Sequence, residues 1–156
     1  MCIRDRPVRV FTGDTFGLSY RELGRNGQQW VFPATTPVQF DPVELHRSID
    51  AICARRPKAA YLTHFGEVRE VERKADDLHR LVQAHADIAA RAALLADPLP
   101  AMVDDLRELV LSEARRQHCG LDEAALLALF RDDITLNADG LLSYLERTRL
   151  RPPNPP

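Results

Sequence analysis

The chain has 156 residues, 45 % of them hydrophobic, enough for one domain with a proper core and too few for two large ones. Lys and Arg number 21 against 23 Asp and Glu, a net charge of -2, so no global field favours nucleic acid or an anionic membrane surface. No apolar stretch approaches the ~18 residues needed to span a bilayer.

The first six residues, Met1 to Arg6, have no apolar segment of the signal-peptide kind and are expected to be a leader foreign to the fold. Val8-Arg9-Val10-Phe11 alternates apolar and polar residues as a strand does, then turns at Gly13-Asp14. Gly24, Asn26 and Gly27 mark a turn, and residues 29–32 read as a short strand stopped by Pro33. Residues 33–40 read as an extended loop, because two prolines and the residues before them disfavour helix. Asp41-Pro42 is a helix start, with an Asp N-cap and Pro at the first helical position. Leu45, Ile49, Ile52 and Cys53 follow at helical spacing, and Arg55-Arg56-Pro57 closes the helix. Ala59-Ala60-Tyr61-Leu62 is short, apolar and flanked by breakers, which predicts a buried strand. This grammar is that of a layered α/β protein.

From Val68 the character changes. Residues 68–96, 99–118, 121–130 and 136–149 all carry helical periodicity, punctuated by Pro98, Pro100 and Gly120. Leu78, Leu81, Val82, Ile88, Ala89 and Ala92 form one apolar stripe, and Leu106, Leu109 and Val110 another. Glu113 is expected on an exposed face, supporting Arg116 and Gln117. The division is thus a leader at 1–6, a sheet-bearing part at 7–67, a helical region at 68–149 and a disordered tail at 150–156.

Two strand ends carry the chemistry. Asp14 follows a glycine that lets the chain turn and a ligand approach, and His64 ends a buried strand just before Phe65-Gly66. Singly, an Asp there caps its own turn and a His is a satisfied polar residue. Together they supply a carboxylate and an imidazole, both of which zinc accepts. His46, His79, His85 and His118 fall on predicted helices and read as surface or core residues. Cys53 reads as core packing. Cys119 has only Arg115, Arg116 and His118 as basic neighbours in the chain. The three cysteines are odd in number and widely spaced, which argues against a disulfide framework and suits a reducing cytoplasm. Tyr20, Arg21 and Thr35-Thr36 lie in loops after strands and are candidates for a substrate pocket, though ordinary loop chemistry explains them equally well.

The wording of the chain resembles a family. Thr12-Gly13-Asp14-Thr15-Phe16-Gly17, then Pro33-Ala34-Thr35-Thr36-Pro37-Val38-Gln39-Phe40-Asp41, then Tyr61-Leu62-Thr63-His64-Phe65-Gly66 is similar to the second half of a metallo-β-lactamase-fold hydrolase. Asp133-Ile134-Thr135-Leu136-Asn137-Ala138-Asp139-Gly140-Leu141 resembles the end of one bacterial branch of that superfamily. The resemblance implies an αββα sandwich with a dinuclear metal site, of which this chain would be the C-terminal half followed by a helical extension. It implies two zinc ions, Asp14 as the carboxylate bridging them and catalytic through the nucleophile it orients, and His64 as the last ligand of the second. It implies hydrolysis of an ester, thioester, lactone or similar bond in a small-molecule substrate by a metal-bound hydroxide. The family's His-x-His-x-Asp-His signature is absent from this sequence, so these residues alone are expected to be inactive. The helical region would then pack on the sheet, flank the active-site mouth or provide a homodimer surface.

Two rivals stand beside this reading. One is a non-catalytic α-helical interaction domain with a small β-containing lead-in. The other is an unrelated α/β hydrolase or phosphatase using Asp14 as nucleophile, for which no accompanying acid or lysine is evident at a strand end.

Overall fold

The computed structural model describes residues 8–24, 29–35, 40–64 and 66–150. The leader expected at 1–6, the Asn26-Gly27 turn, Thr36 and Phe65 lie outside these residues, as does the tail from Arg151 onward. Leu150, assigned to the tail by sequence, is instead the last residue of a helix.

Among the described residues, three strands form one sheet in the order β1 (Arg9–Gly13), β2 (Ala59–Leu62), β3 (Gly66–Val68). β1 runs parallel to β2 with Phe11 opposite Tyr61, and β2 pairs antiparallel with β3 with Ala60 opposite Val68. Period-two alternation sorts the residues. Ala60, Leu62 and Val68 enter the same buried cluster as Ile49, Val71 and Ala75, whereas Phe11 stands 84 % exposed on the other face.

Among the described residues, five α-helices follow the pattern of the sequence with informative exceptions. α1 (Pro42–Cys53) starts as expected: one Asp41 carboxylate oxygen accepts from the Val43 and Glu44 N–H groups at 3.0 and 3.2 Å. α2 (Val71–Ala92) buries the whole predicted stripe. It begins three residues after Val68, because residues 66–68 are claimed by β3, a strand too short for its periodicity to register. α3 (Pro98–Arg116) opens on the prolines expected to separate helices, since first-turn N–H groups need no partner within the helix. α4 (Glu123–Leu129) is capped by Asp122, whose carboxylate accepts from Ala125 N–H at 2.8 Å. α5 (Arg131–Leu150) starts five residues earlier than its apolar pattern indicates. Residues 29–32 form no strand; Leu18 and Phe32 instead make a single antiparallel bridge through paired 2.9 Å bonds.

Glu113 also departs from expectation. It is 1 % exposed at the meeting of α2 and α3, where it accepts from Arg80 at 2.7 Å and from Gln117 at 2.8 Å. Its helical neighbour Gln117 therefore does pair with it, but inside the protein, and a buried carboxylate is tolerated because both oxygens are bonded.

α1 packs on α2, α2 on α3 and α5, and α5 on α3 and α4. The arrangement is a mixed α+β one. The described strands make a single three-stranded sheet, so the two-sheet αββα sandwich implied by the resemblance is not built by these residues.

Candidate metal centre

Because β1 and β2 run parallel, their carboxyl ends fall at the same edge of the sheet, and that end is where ligands bind in sheets of this kind. β1 ends at Gly13, whose φ of 56° lies in the left-handed region that glycine enters without strain. The register of β1 against β2 shifts between Phe11 and Gly13, and the Thr12 hydroxyl donates to the Tyr61 carbonyl at 3.3 Å. β2 ends at Leu62, and the turn to β3 carries His64. Asp14 Oδ1 and His64 Nε2 thereby come within 3.7 Å, with side chains 47 % and 56 % exposed.

The turn after β1 is closed by backbone bonds, Thr15 N–H to the Thr12 carbonyl at 3.2 Å and Gly17 N–H to the Asp14 carbonyl at 2.9 Å. The Asp14 carboxylate is therefore not the group that closes it. Gly17 is required there: its φ is 72°, and a Cβ would sit 2.2 Å from the Phe32 carbonyl oxygen. A cavity of about 320 Å³ opens beside Asp14, lined by Thr12, Thr15, Ala34, Phe40 and Glu44 among others.

Sequence reasoning missed the contribution of α5. The Tyr20 hydroxyl donates to Asp133 Oδ2 at 2.6 Å, and the Tyr20 ring packs edge-on against Phe130 at 5.4 Å. Burial pushes the Asp133 carboxyl above its ordinary range, while the Tyr20 hydrogen bond and the nearby His64 pull it back down. Burial, then the bond to Asp133, raise the Tyr20 phenol. Asp133 thus stands electrostatically beside His64, although the sequence marks it only as part of a C-terminal motif. One turn on, Asn137 is buried and holds the loop from Pro33 to Thr35. Its side chain accepts from Thr35 N–H at 2.8 Å and donates to the Pro33 carbonyl at 3.1 Å. Thr35, a pocket candidate from sequence, is 1 % exposed and spends its hydroxyl on the Asn137 carbonyl. Arg21 lies exposed in a single 3-10 turn, Arg21–Leu23.

Two ligands of one tetrahedral zinc, each about 2.0–2.1 Å from the ion, lie about 3.3 Å apart. The 3.7 Å between Asp14 and His64 is close to that, so their donor atoms fit two positions of a zinc shell after a small movement. Among the described residues no group of three or more His, Cys, Asp or Glu is placed to hold a metal ion. Asp14 and His64 are thus two groups of the kinds zinc accepts, against the four ligands it ordinarily takes.

The remaining histidines lie on or beside the helices. His85 is wholly buried, donates Nδ1–H to the Leu81 carbonyl at 2.8 Å and packs against Phe32 and Phe40. His118 is exposed at the end of α3. His46 and His79, separate in sequence, meet between α1 and α2. Cys53 and Cys119 are free thiols packed against the core, and burial raises Cys53 above its ordinary range. No helix among the described residues is long and apolar enough to cross a membrane. No family model, no curated protein and no solved structure matches this chain.

Proposed function

We propose that the chain is the C-terminal half of a metallo-β-lactamase-fold hydrolase, with Asp14 and His64 as two ligands of a dinuclear zinc site that upstream residues complete. The observation that carries this is their convergence at the carboxyl end of a parallel strand pair, 3.7 Å apart and open to solvent. A second observation supports it. The sheets of layered α/β proteins ordinarily have both faces packed, yet here Phe11 is 84 % exposed and stacks on Tyr61 at 5.2 Å on a face that no described element covers. A second sheet laid there would give the αββα layering.

In this reading Asp14 would hold the two ions and orient the nucleophile they supply, and His64 would complete the set of ligands for the second. Zinc, when bound, supplies Lewis acidity and a nucleophile at neutral pH. The chain's own work is placement: the Gly13 turn aims the carboxylate, the β2–β3 turn aims the imidazole, and α5 holds the flanking loops through Asp133 and Asn137. The substrate is a small molecule with an ester, thioester, lactone or related bond, and the setting is cytoplasmic.

The test joins the chain to its natural upstream sequence and measures zinc per chain and hydrolysis of ester, thioester and lactone panels. Asp14→Ala is expected to lose metal occupancy and activity together. Both metals retained at a near-normal rate in that variant would overturn the assignment. An intact upstream frame without His-x-His-x-Asp-His and without zinc dependence would favour the helical interaction domain instead.

A further inference from the structure

The interface of α1 and α2 holds two histidines that the Asp14–His64 site does not use. His46 Nδ1 and His79 Nδ1 lie 2.6 Å apart, their ring centres 4.9 Å apart and their planes within 18°. The centre separation is little more than the nitrogen gap plus the two ring radii, so both nitrogens sit on the line joining the rings. Their lone-pair directions oppose each other rather than converge on a third point. The midpoint is half of 2.6 Å, or 1.3 Å, from each nitrogen, well inside the zinc–nitrogen distance of about 2.0–2.1 Å. A metal ion does not fit on that line, and a proton does.

The second ring stands beside a carboxylate. His79 Nε2 lies 3.1 Å from Asp50 Oδ1, and the negative charge there favours the neutral tautomer with its proton on Nε2, which leaves Nδ1 of His79 as an acceptor. His46 Nδ1–H is then the donor. These contacts run from α1 to α2 and back to α1, where His46 and Asp50 are four residues apart on one face.

We propose that His46 and His79 form a proton-sharing latch between α1 and α2, closed while one N–H lies between the rings and sprung when both Nδ1 atoms carry a proton. The neutral pair and the pair with one added proton, on His46 Nε2, both keep the N–H···N bond. A second added proton can enter only on His79 Nδ1, where N–H would face N–H at 2.6 Å. The carboxylate at the pair is Asp50, which acts on His46 and lies against His79, and the Cys53 thiol on the same helix is raised by burial and then by Asp50, Glu72 and Asp76. Burial, then the like charge of His79, lower the affinity of His46 for a proton, and Asp50 offsets part of this. A folded-state value below the unfolded value of about 6.5 means stability is whole above that pH and is lost as the pH falls through it.

The experiment follows the histidine ring signals of the whole chain by NMR from pH 8 to 5. The two rings are expected to titrate as a coupled pair, the second proton entering at least about one pH unit below the first. Independent titration of both rings near pH 6.5 would overturn the latch. In parallel, His46→Gln keeps an amide donor for His79 and removes the shared proton. Against the same His85 background, wild type should lose up to about tenfold more of its folded-to-unfolded ratio than this variant between pH 6.5 and 5.5. Equal slopes would overturn the proposal. So would zinc binding at pH 7.5 that His46→Gln abolishes, since that would make the pair a cation site. Where His46→Gln fails to fold, the wild-type titration alone decides.

Discussion

The carboxyl end of the sheet and the seam between α5 and the aromatic loops lie side by side yet are built on opposite terms. At the sheet end, Asp14 and His64 are about half exposed, and what positions them is backbone: a glycine turn, a strand register and two main-chain bonds. At the seam, Phe130, His85 and Asn137 are buried, and side chains carry the structure. Phe130 packs between Tyr20, Trp30 and Phe32, with ring centres 5.3 to 5.8 Å away. Asp133, Asn137, Tyr144 and Arg147 reach from α5 to Tyr20, to Pro33 and Thr35, and to Phe40. Display and support are thus divided: the candidate ligands are held out by a frame to which their own side chains contribute little.

The seam is most vulnerable at Phe130. Phe130→Ala removes a ring that is 0 % exposed and is expected to cost about 3–5 kcal/mol, read from urea unfolding. A loss below about 1 kcal/mol would mean that the seam does not hold the two regions together.

His85 makes the seam sensitive to acid. Burial pushes its pKa down to about 4, against a partial rise from its bond to the Leu81 carbonyl. The folded value lies below the unfolded one of about 6.5, so the unfolded chain binds the proton more readily. Stability is therefore whole above pH 6.5 and falls by about 3 kcal/mol as the pH drops to about 4. Denaturation midpoints across that range check it, and His85→Gln should flatten this part of the profile.

Asn137→Ala should cost about 2 kcal/mol, because it strands the buried Thr35 N–H and the Pro33 carbonyl. Thermal unfolding reads the loss. Restoration by Asn137→Asp, which keeps an acceptor for Thr35 but no donor for Pro33, should be partial.

What the sequence discloses follows the same division. α1 and the α2 stripe are legible because capping and 3.6-residue periodicity are local signals. β3 is not, at three residues, and neither is the early start of α5, where Asp132, Asp133 and Thr135 break the apolar rhythm. Asp14 and His64 are legible as strand-end polar residues, and their pairing follows once β1 and β2 are parallel. Asp133 is invisible as a site neighbour, since its place depends on how α5 lies against Tyr20. Glu113 and the His46–His79 pair fail for the same reason: a helical wheel shows which residues share a face but not which face meets another helix.

The smallest expected effect falls at the sheet end. Asp14→Ala removes a carboxylate whose side chain is 47 % exposed, and the turn it sits in is closed by the Thr12 and Asp14 carbonyls. Its loss should therefore change the stability of the chain by no more than about 0.5 kcal/mol, measured by urea unfolding of the chain alone. A cost above about 1 kcal/mol would make Asp14 part of the frame, and the loss of zinc expected in the upstream-joined protein would then report a damaged turn. A neutral change removes that explanation. Any loss of metal in the longer protein would then be traceable to the missing ligand atom itself, which is the distinction the half-exposed geometry of Asp14 and His64 makes possible.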